Sequence, residues 1–399
     1  MSQKPFNLSP DLKRLRDEGY AVQIRGGLLV VRDVPYVNAQ REVKRGVLIS
    51  TLQLAADKTL QPDTHVAHFD GEFPCGPNGE PIQQISHQTA HLDLGHGVTA
   101  EHSFSSKPAD TGRYEDYYHK MTTYAAILSG PATVLQPGIS PRTYAVPEAD
   151  EETVFNYLDT ASYRAGIGAL TEKLAAENIG IIGLGGTGSY VLDFVAKTPA
   201  SQVHLFDGDD YLQHNAFRAP GAPALEALRE MPKKVDYFHG IYSKMRRGIF
   251  AHAVAIGADN LDLLNPLTFA FICIDGGDAK RLIVEKLEGL NVPFVDVGMG
   301  LDLVDGSLGG ILRVTASTPE KRDHVHQGRL SFAGSGEDDL YSSNIQVADL
   351  NALNAVMAVI KWKKIRGFYR DLECEHHSTY TTDGNMLLNR DRACCDTLV

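Results

Sequence analysis

An α/β fold built on a mainly parallel sheet, preceded by a smaller domain of mixed α/β (α+β) type, is what the sequence predicts, and three observations carry the expectation. Beyond about residue 150, short apolar runs alternate with stretches of helical periodicity, the pattern of parallel strands joined by helical crossovers. A glycine-rich turn, Gly183-Leu184-Gly185-Gly186-Thr187-Gly188, stands between one such run and one such helix. The chain has 399 residues, 43% of them hydrophobic and 22% charged, which suffices to bury two cores.

Taken in order, residues 1–150 carry alternating apolar runs such as Gly27-Leu28-Leu29-Val30-Val31 and a turn-rich loop over residues 71–82, and read as the first domain. Residues 136–152 collect three prolines and a run of acids, a composition that favours extended chain, so the boundary is placed there and the second domain is taken as 151–399. In that domain Ile179–Ile182, Val203–Phe206, Phe269–Ile274 and Pro293–Val297 read as strands, and Ser189–Lys197 and Lys280–Gly289 as helices. Ser343-Asn344-Ile345-Gln346 has the form of a capping box opening a long helix, whose apolar positions Val347, Leu350, Leu353, Met357 and Ile360 predict the face laid on the sheet.

Composition narrows the function classes. A net charge of −12 repels a polyphosphate backbone, so nucleic acid is not expected as a partner. Charges run through the first thirty residues and no apolar run approaches eighteen, so neither a signal peptide nor a membrane span is expected. Five cysteines, an odd number, suggest reduced thiols and a cytoplasmic location.

The chemistry begins at the glycine turn. Gly183, Gly185, Gly186 and Gly188 would let the backbone approach phosphates at a helix N-terminus. Asp207, at the end of the next strand, is placed to accept hydrogen bonds from ribose hydroxyls. NAD, FAD and ATP sites share these two features. The residues downstream of Asp207 separate them: Asp209, Asn215, Arg218 and the pair Lys233-Lys234 supply polar and cationic groups that attack at an α-phosphate needs for the triphosphate and its pyrophosphate leaving group.

Over roughly residues 160–365 these motifs and their spacing resemble the ubiquitin-activating superfamily, including its ThiF-type bacterial adenylyltransferases. The resemblance implies a Rossmann-like adenylation domain that uses ATP and Mg2+ to activate the C-terminal carboxylate of a ubiquitin-like protein. It implies that Asp207 holds the ribose with Asp209 beside it in the Asp-x-Asp motif, that Asn215 and Arg218 contact phosphates, and that Lys234, or its neighbour Lys233, opens the next helix as the phosphate lysine. Asp275 would bind magnesium, or alternatively cap the helix after it. Arg164 is the nearest candidate for an arginine finger reaching into a partner subunit, or is a surface arginine. A homodimer and hand-over to a conjugating-enzyme-like protein are implied as well.

The chain departs from thioester-forming relatives in having no cysteine between Ile274 and Glu373. Its thiols are Cys75, Cys273, Cys374, Cys394 and Cys395; Cys273 reads as core and the tail pair as a candidate nucleophile. An adenylate passed straight to an acceptor, or a hydroxyl carrier at Ser342 or Ser343, are the open alternatives. Cys374, His376, His377, Cys394 and Cys395 read as a surface tail or, without regular spacing, a zinc site; His324 and His326 read as solvent-facing. In the first domain, Cys75 is a turn cysteine or a thiol nucleophile, and Tyr114, Tyr117, Tyr118 and Tyr124 suit protein recognition or a core helix. As a unit this domain resembles those preceding activating enzymes in bacterial ubiquitin-like conjugation operons linked to antiviral defence, which implies binding of the modifier or the conjugating partner. The rival readings are a nucleotide-binding scaffold without catalysis and an NAD-dependent oxidoreductase.

Overall fold

The computed structural model describes residues 6, 8–145, 153–332 and 345–393, apart from the side chains of Tyr163 and Arg164. Internal contacts divide the chain into two units, Met1–Glu172 and Lys173–Val399, a division later in the chain than the boundary expected from the proline-rich segment.

The first unit is an antiparallel sheet covered by helices, the α+β class. Strands β1 (Ala21–Arg25), β2 (Leu28–Val37), β3 (Val43–Thr51), β6 (Val66–Asp70), β7 (Ser86–Gly95) and β8 (Val98–Ser105) lie in the order β1-β2-β3-β6-β8-β7, and β4 (Leu54–Ala55) and β5 (Lys58–Thr59) form a small hairpin. The apolar run at Leu28 is the start of β2, buried on both faces. Helix Tyr117–Leu135 opens on Asp116, whose side chain accepts from the His119 N–H at 2.7 Å. It buries Tyr117, Met121, Tyr124, Ala125 and Leu128, spaced as one helical face, so Tyr114, Tyr117 and Tyr124 are core while Tyr118 is half-buried at its edge. Cys75 is buried, and burial raises its thiol pKa, which opposes its use as a nucleophile.

The second unit is the expected mainly parallel sheet. β9 (Asn178–Ile182), β10 (Gln202–Phe206), β11 (Ile249–His252), β12 (Phe269–Ile272) and β13 (Phe294–Val304) run parallel in the order β11-β10-β9-β12-β13, the 3-2-1-4-5 arrangement of a Rossmann-like half. The sheet then turns antiparallel through β14 (Ser307–Ser317), β15 (Glu375–Thr381) and β16 (Met386–Arg392). Strands β9 and β12 read as unbroken apolar runs because both faces of a parallel sheet are covered.

The long helix Ala348–Ile365 corrects two expectations. Its N-cap is Val347, with no side-chain cap, so it does not open on the expected capping box; Ser342 and Ser343 lie outside the described residues. Its buried face is Asn351, Asn354, Ala355, Ala358, Val359 and Trp362, whereas Leu350, Leu353 and Met357 are half-buried and Ile360 is exposed. Small side chains let this helix lie close against helix Gly186–Ala196, and close approach, not side-chain hydrophobicity, selects the face.

The histidine readings also change. His324 is buried with its Nε2 2.8 Å from the Ala316 carbonyl, while His326 is exposed and paired with Glu288. Residues 375–377 belong to β15: His376 meets the Thr318 hydroxyl at 3.1 Å and His377 the Thr315 hydroxyl at 3.0 Å, both rings buried. Burial brings the pKa of each down to about 4. The hydroxyls that make burial affordable come from β14 and its end, far away in sequence. Cys374 is disulfide-bonded, so the expectation of reduced thiols holds for Cys75 and Cys273 and not for Cys374; Cys394 and Cys395 lie outside the described residues. Among the described residues no three His, Cys, Asp or Glu side chains gather as a metal group, and no helix is long and apolar enough to cross a membrane.

Candidate active site

The site is built around the turn after β9, and its glycines have different jobs. Gly183 has φ 92° and sits so close to β12's continuation that a Cβ there would lie 2.6 Å from the Cys273 carbonyl oxygen. A Cβ on Gly188 would strike the Gly183 carbonyl, and one on Gly186 the Asn351 amide. Gly185, the N-cap of helix Gly186–Ala196, faces open space. Three glycines therefore allow packing, and the fourth leaves a bare backbone where an anion can approach the first N–H groups of the helix.

Asp207 comes directly after β10 and is buried. Its Oδ2 accepts from the Leu184 N–H at 2.7 Å and its Oδ1 from the Asp209 N–H at 2.9 Å, so it braces the glycine turn from the neighbouring strand. Each oxygen retains acceptor capacity for a further donor. Lys234, buried at the start of helix Lys234–Tyr242, sets its Nζ 2.6 Å from Asp209 Oδ2 and 3.4 Å from Asp207 Oδ1. That contact holds the Asp209 carboxyl below the usual range. Lys233 points elsewhere: it is half-buried, 2.8 Å from Asp210 Oδ1, and donates to the Gly208 carbonyl. Of the two lysines, Lys234 is the one aimed at the turn.

Asn215, buried in the short helix Gln213–Ala216, accepts from the Leu212 N–H at 2.8 Å and so shapes the loop leading to Arg218. Arg218 is partly exposed, and its Nε is buried with no hydrogen-bond partner among the described residues. A buried donor without an acceptor is costly, and an anion would relieve it. The neighbouring chain also lines an open cleft with Leu212, Phe217, Leu228 and Met231.

Asp275 lies exposed in the loop between β12 and helix Asp278–Gly289, at the carboxyl end of a parallel strand. The strand ends at Ile272, two residues earlier than expected, and the helix N-cap is Gly277, so Asp275 is not the capping residue. The loop is pressed against the glycine turn, since Cys273 donates its N–H to the Ile182 carbonyl at 2.7 Å. Burial raises the Cys273 thiol, consistent with a packing role. The Arg164 side chain lies outside the described residues.

Two groups of residues escaped the sequence reading. Asn351, fully buried, accepts from the Thr187 hydroxyl at 2.9 Å and donates to the Arg218 carbonyl at 3.5 Å, tying the glycine-turn helix to the arginine loop. Its signal was available: Asn351 and Asn354 are polar residues at the spacing of one helix face. The second group is a buried ion cluster in which Asp296 on β13 lies 2.5 Å from Lys280 and 2.8 Å from Arg313; nothing in the spacing of these three announces it.

Residues 10–160, less than half of the chain, match a family model described as a domain of unknown function, DUF6791. No curated protein matches the chain. Among solved structures, Escherichia coli MccB with MccA-N7isoASN is similar at 16% identity and a TM-score of 0.45, over 58% of this chain and 68% of that one. E. coli MccB with ATP is similar at 16% identity and a TM-score of 0.44, over 58% and 71%. PaaA is similar at 15% identity and a TM-score of 0.39, over 56% and 75%.

Proposed function

We propose that the unit Lys173–Val399 is an ATP-dependent adenylyltransferase acting on the C-terminal carboxylate of a ubiquitin-like protein, in a bacterial ubiquitin-like pathway of the kind linked to antiviral defence. What supports the reading is that Asp207, with Lys234 beside it, braces one bare glycine turn, that the loop carrying Asp275 is bonded to the end of the strand before that turn, and that Arg218 has a buried donor lacking an acceptor among the described residues.

ATP would supply an α-phosphate for the carboxylate to attack, with pyrophosphate leaving. The residues fit such a ligand. Gly185 and the first turn of helix Gly186–Ala196 offer backbone N–H groups to phosphate oxygens, while the remaining acceptor capacity of Asp207 suits ribose hydroxyls. Arg218 and Asn215 orient the phosphates, and Lys234 spreads positive charge over the leaving pyrophosphate. Asp209 keeps Lys234 aligned. Asp275 would hold Mg2+, whose charge would be shared with the phosphates, since one carboxylate suits such a cation. The reading includes a homodimer in which Arg164 reaches the partner's site, and hand-over of the activated carboxylate to a conjugating-enzyme-like protein, with the first unit binding the modifier or that partner.

The test is exchange of labelled pyrophosphate into ATP in the presence of candidate ubiquitin-like proteins. Modifier-dependent exchange, lost by at least about 100-fold in Asp275→Ala, is expected. Nucleotide binding without exchange for any modifier would point to a scaffold, and binding of NADH in place of ATP to an oxidoreductase.

A further inference from the structure

We propose that Lys280, Asp296 and Arg313 are positioning residues that fix the loop carrying Asp275 and thereby set the affinity of the crevice for a divalent cation bound with nucleotide; the inference rests on the adenylation reading. Asp296 is fully buried on β13, in register with Ile272, the last residue of β12. It therefore stands beside the point where β12 gives way to the loop Cys273–Gly277.

Lys280 belongs to the first turn of the helix after this loop; its side chain is 3% exposed and its ammonium sits 2.5 Å from Asp296 Oδ1. That helix starts at Gly277, φ 118°, with no side-chain cap. The constraint a capping side chain would normally impose on a helix start is absent, and the Lys280–Asp296 contact imposes one instead. At the other end the loop is held by the Cys273 N–H bonded to Ile182. Asp275 thus lies between two fixed points, Cys273 and Lys280.

Arg313 makes the anchor rigid. Its Nη2 lies 2.8 Å from Asp296 Oδ2 and its Nη1 donates to the Arg329 carbonyl at 2.9 Å, so the carboxylate is held from both sides. Two cations, Lys280 buried and Arg313 partly exposed, share one buried carboxylate. Apolar residues of similar volume would stabilise such a core at least as well, so the cluster is better explained by the geometry it specifies than by stability. Outer residues that orient metal ligands characteristically tune metal affinity by 10–100-fold.

The experiment uses the full chain and the variants Lys280→Met, Asp296→Asn and Lys280→Arg. ATP binding is titrated by calorimetry against Mg2+ and repeated in EDTA, and hydrogen exchange of residues 273–279 is followed by mass spectrometry. In Lys280→Met and Asp296→Asn the Mg2+ concentration for half-maximal effect is expected to rise about tenfold or more, with EDTA affinity within about twofold of the parent and faster exchange at 273–279. Lys280→Arg keeps the cation and is expected to recover most of the Mg2+ dependence, which covers the case in which either removal fails to fold. Wild-type Mg2+ dependence and wild-type exchange in a folded Lys280→Met or Asp296→Asn protein overturn the proposal, whatever happens to the melting temperature. A parent protein that binds no nucleotide sinks the adenylation reading and the divalent-cation part with it, while the exchange rates still decide whether the cluster fixes the loop.

Discussion

The Lys234 ammonium bridges the carboxylates of Asp209, at 2.6 Å, and Asp207, at 3.4 Å, from a position almost closed to solvent. The carboxylate that braces the glycine turn and the cation nearest to it are thus one unit, and Lys233 stands outside it.

Lys234→Ala is expected to lower pyrophosphate exchange by about 100-fold or more, the scale for removing one charge aimed at a transition state. Lys233→Ala should change it less than about threefold, because its exposed ion pair carries little energy. Equal losses in the two variants would show that the buried lysine has no special part.

Gly188→Ala places a methyl group against the Gly183 carbonyl and should destabilise the second unit by about 1–3 kcal/mol, read as a lower unfolding midpoint in urea. Gly185→Ala meets no neighbour and has an ordinary φ of −70°, so its midpoint should stay near the parent's while nucleotide affinity falls. The reverse ranking would contradict the division of labour among the glycines.

Lys120 gives the first unit a distinct pH response. Burial brings its pKa from 10.5 down to about 7, against the opposing pull of the Asp63 charge, and its Nζ is held by the Ser50 hydroxyl and the Thr64 carbonyl. Between pH 7 and 10.5 the unfolded chain binds this proton and the folded one does not. Stability of this unit should therefore fall as the pH drops through that window and level off below about 7. Comparing melting temperatures of the parent and Lys120→Met from pH 7 to 9 checks it: the slope should be smaller in the variant.

For the second unit the window is acidic. His376 and His377 titrate near 6.5 when unfolded and at about 4 in the fold, so the stability they contribute is complete above 6.5 and lost as the pH falls toward 4. His376→Gln, which retains a hydrogen-bonding partner for Thr318, should flatten part of the acid limb in a pH series of unfolding midpoints.

The parallel strands were legible because burial on both faces writes an unbroken apolar run, and the glycine turn because only glycine tolerates the contacts made at Gly183 and Gly188. Asp207 was legible by its distance from that turn, though not its hydrogen bond to Leu184, which depends on how β9 and β10 align. The long helix shows where such reading ends. Its apolar stripe pointed to Leu350, Leu353 and Met357, but the face that packs is Asn351, Asn354 and Ala358, chosen by how near a neighbouring helix can come. Asp296 with Lys280 and Arg313 was illegible for a similar reason: the register of β13 and β14 brings Asp296 and Arg313 together, and Lys280 reaches them from a helix.

The close approach of Gly183 to the Cys273 carbonyl has a consequence for synthesis on the ribosome. The glycine turn is finished by a segment about ninety residues downstream of it, at the end of β12. A growing chain that has emerged only as far as β10 has its glycines but not their wall, so the turn can take its final shape only once Cys273 has joined the sheet.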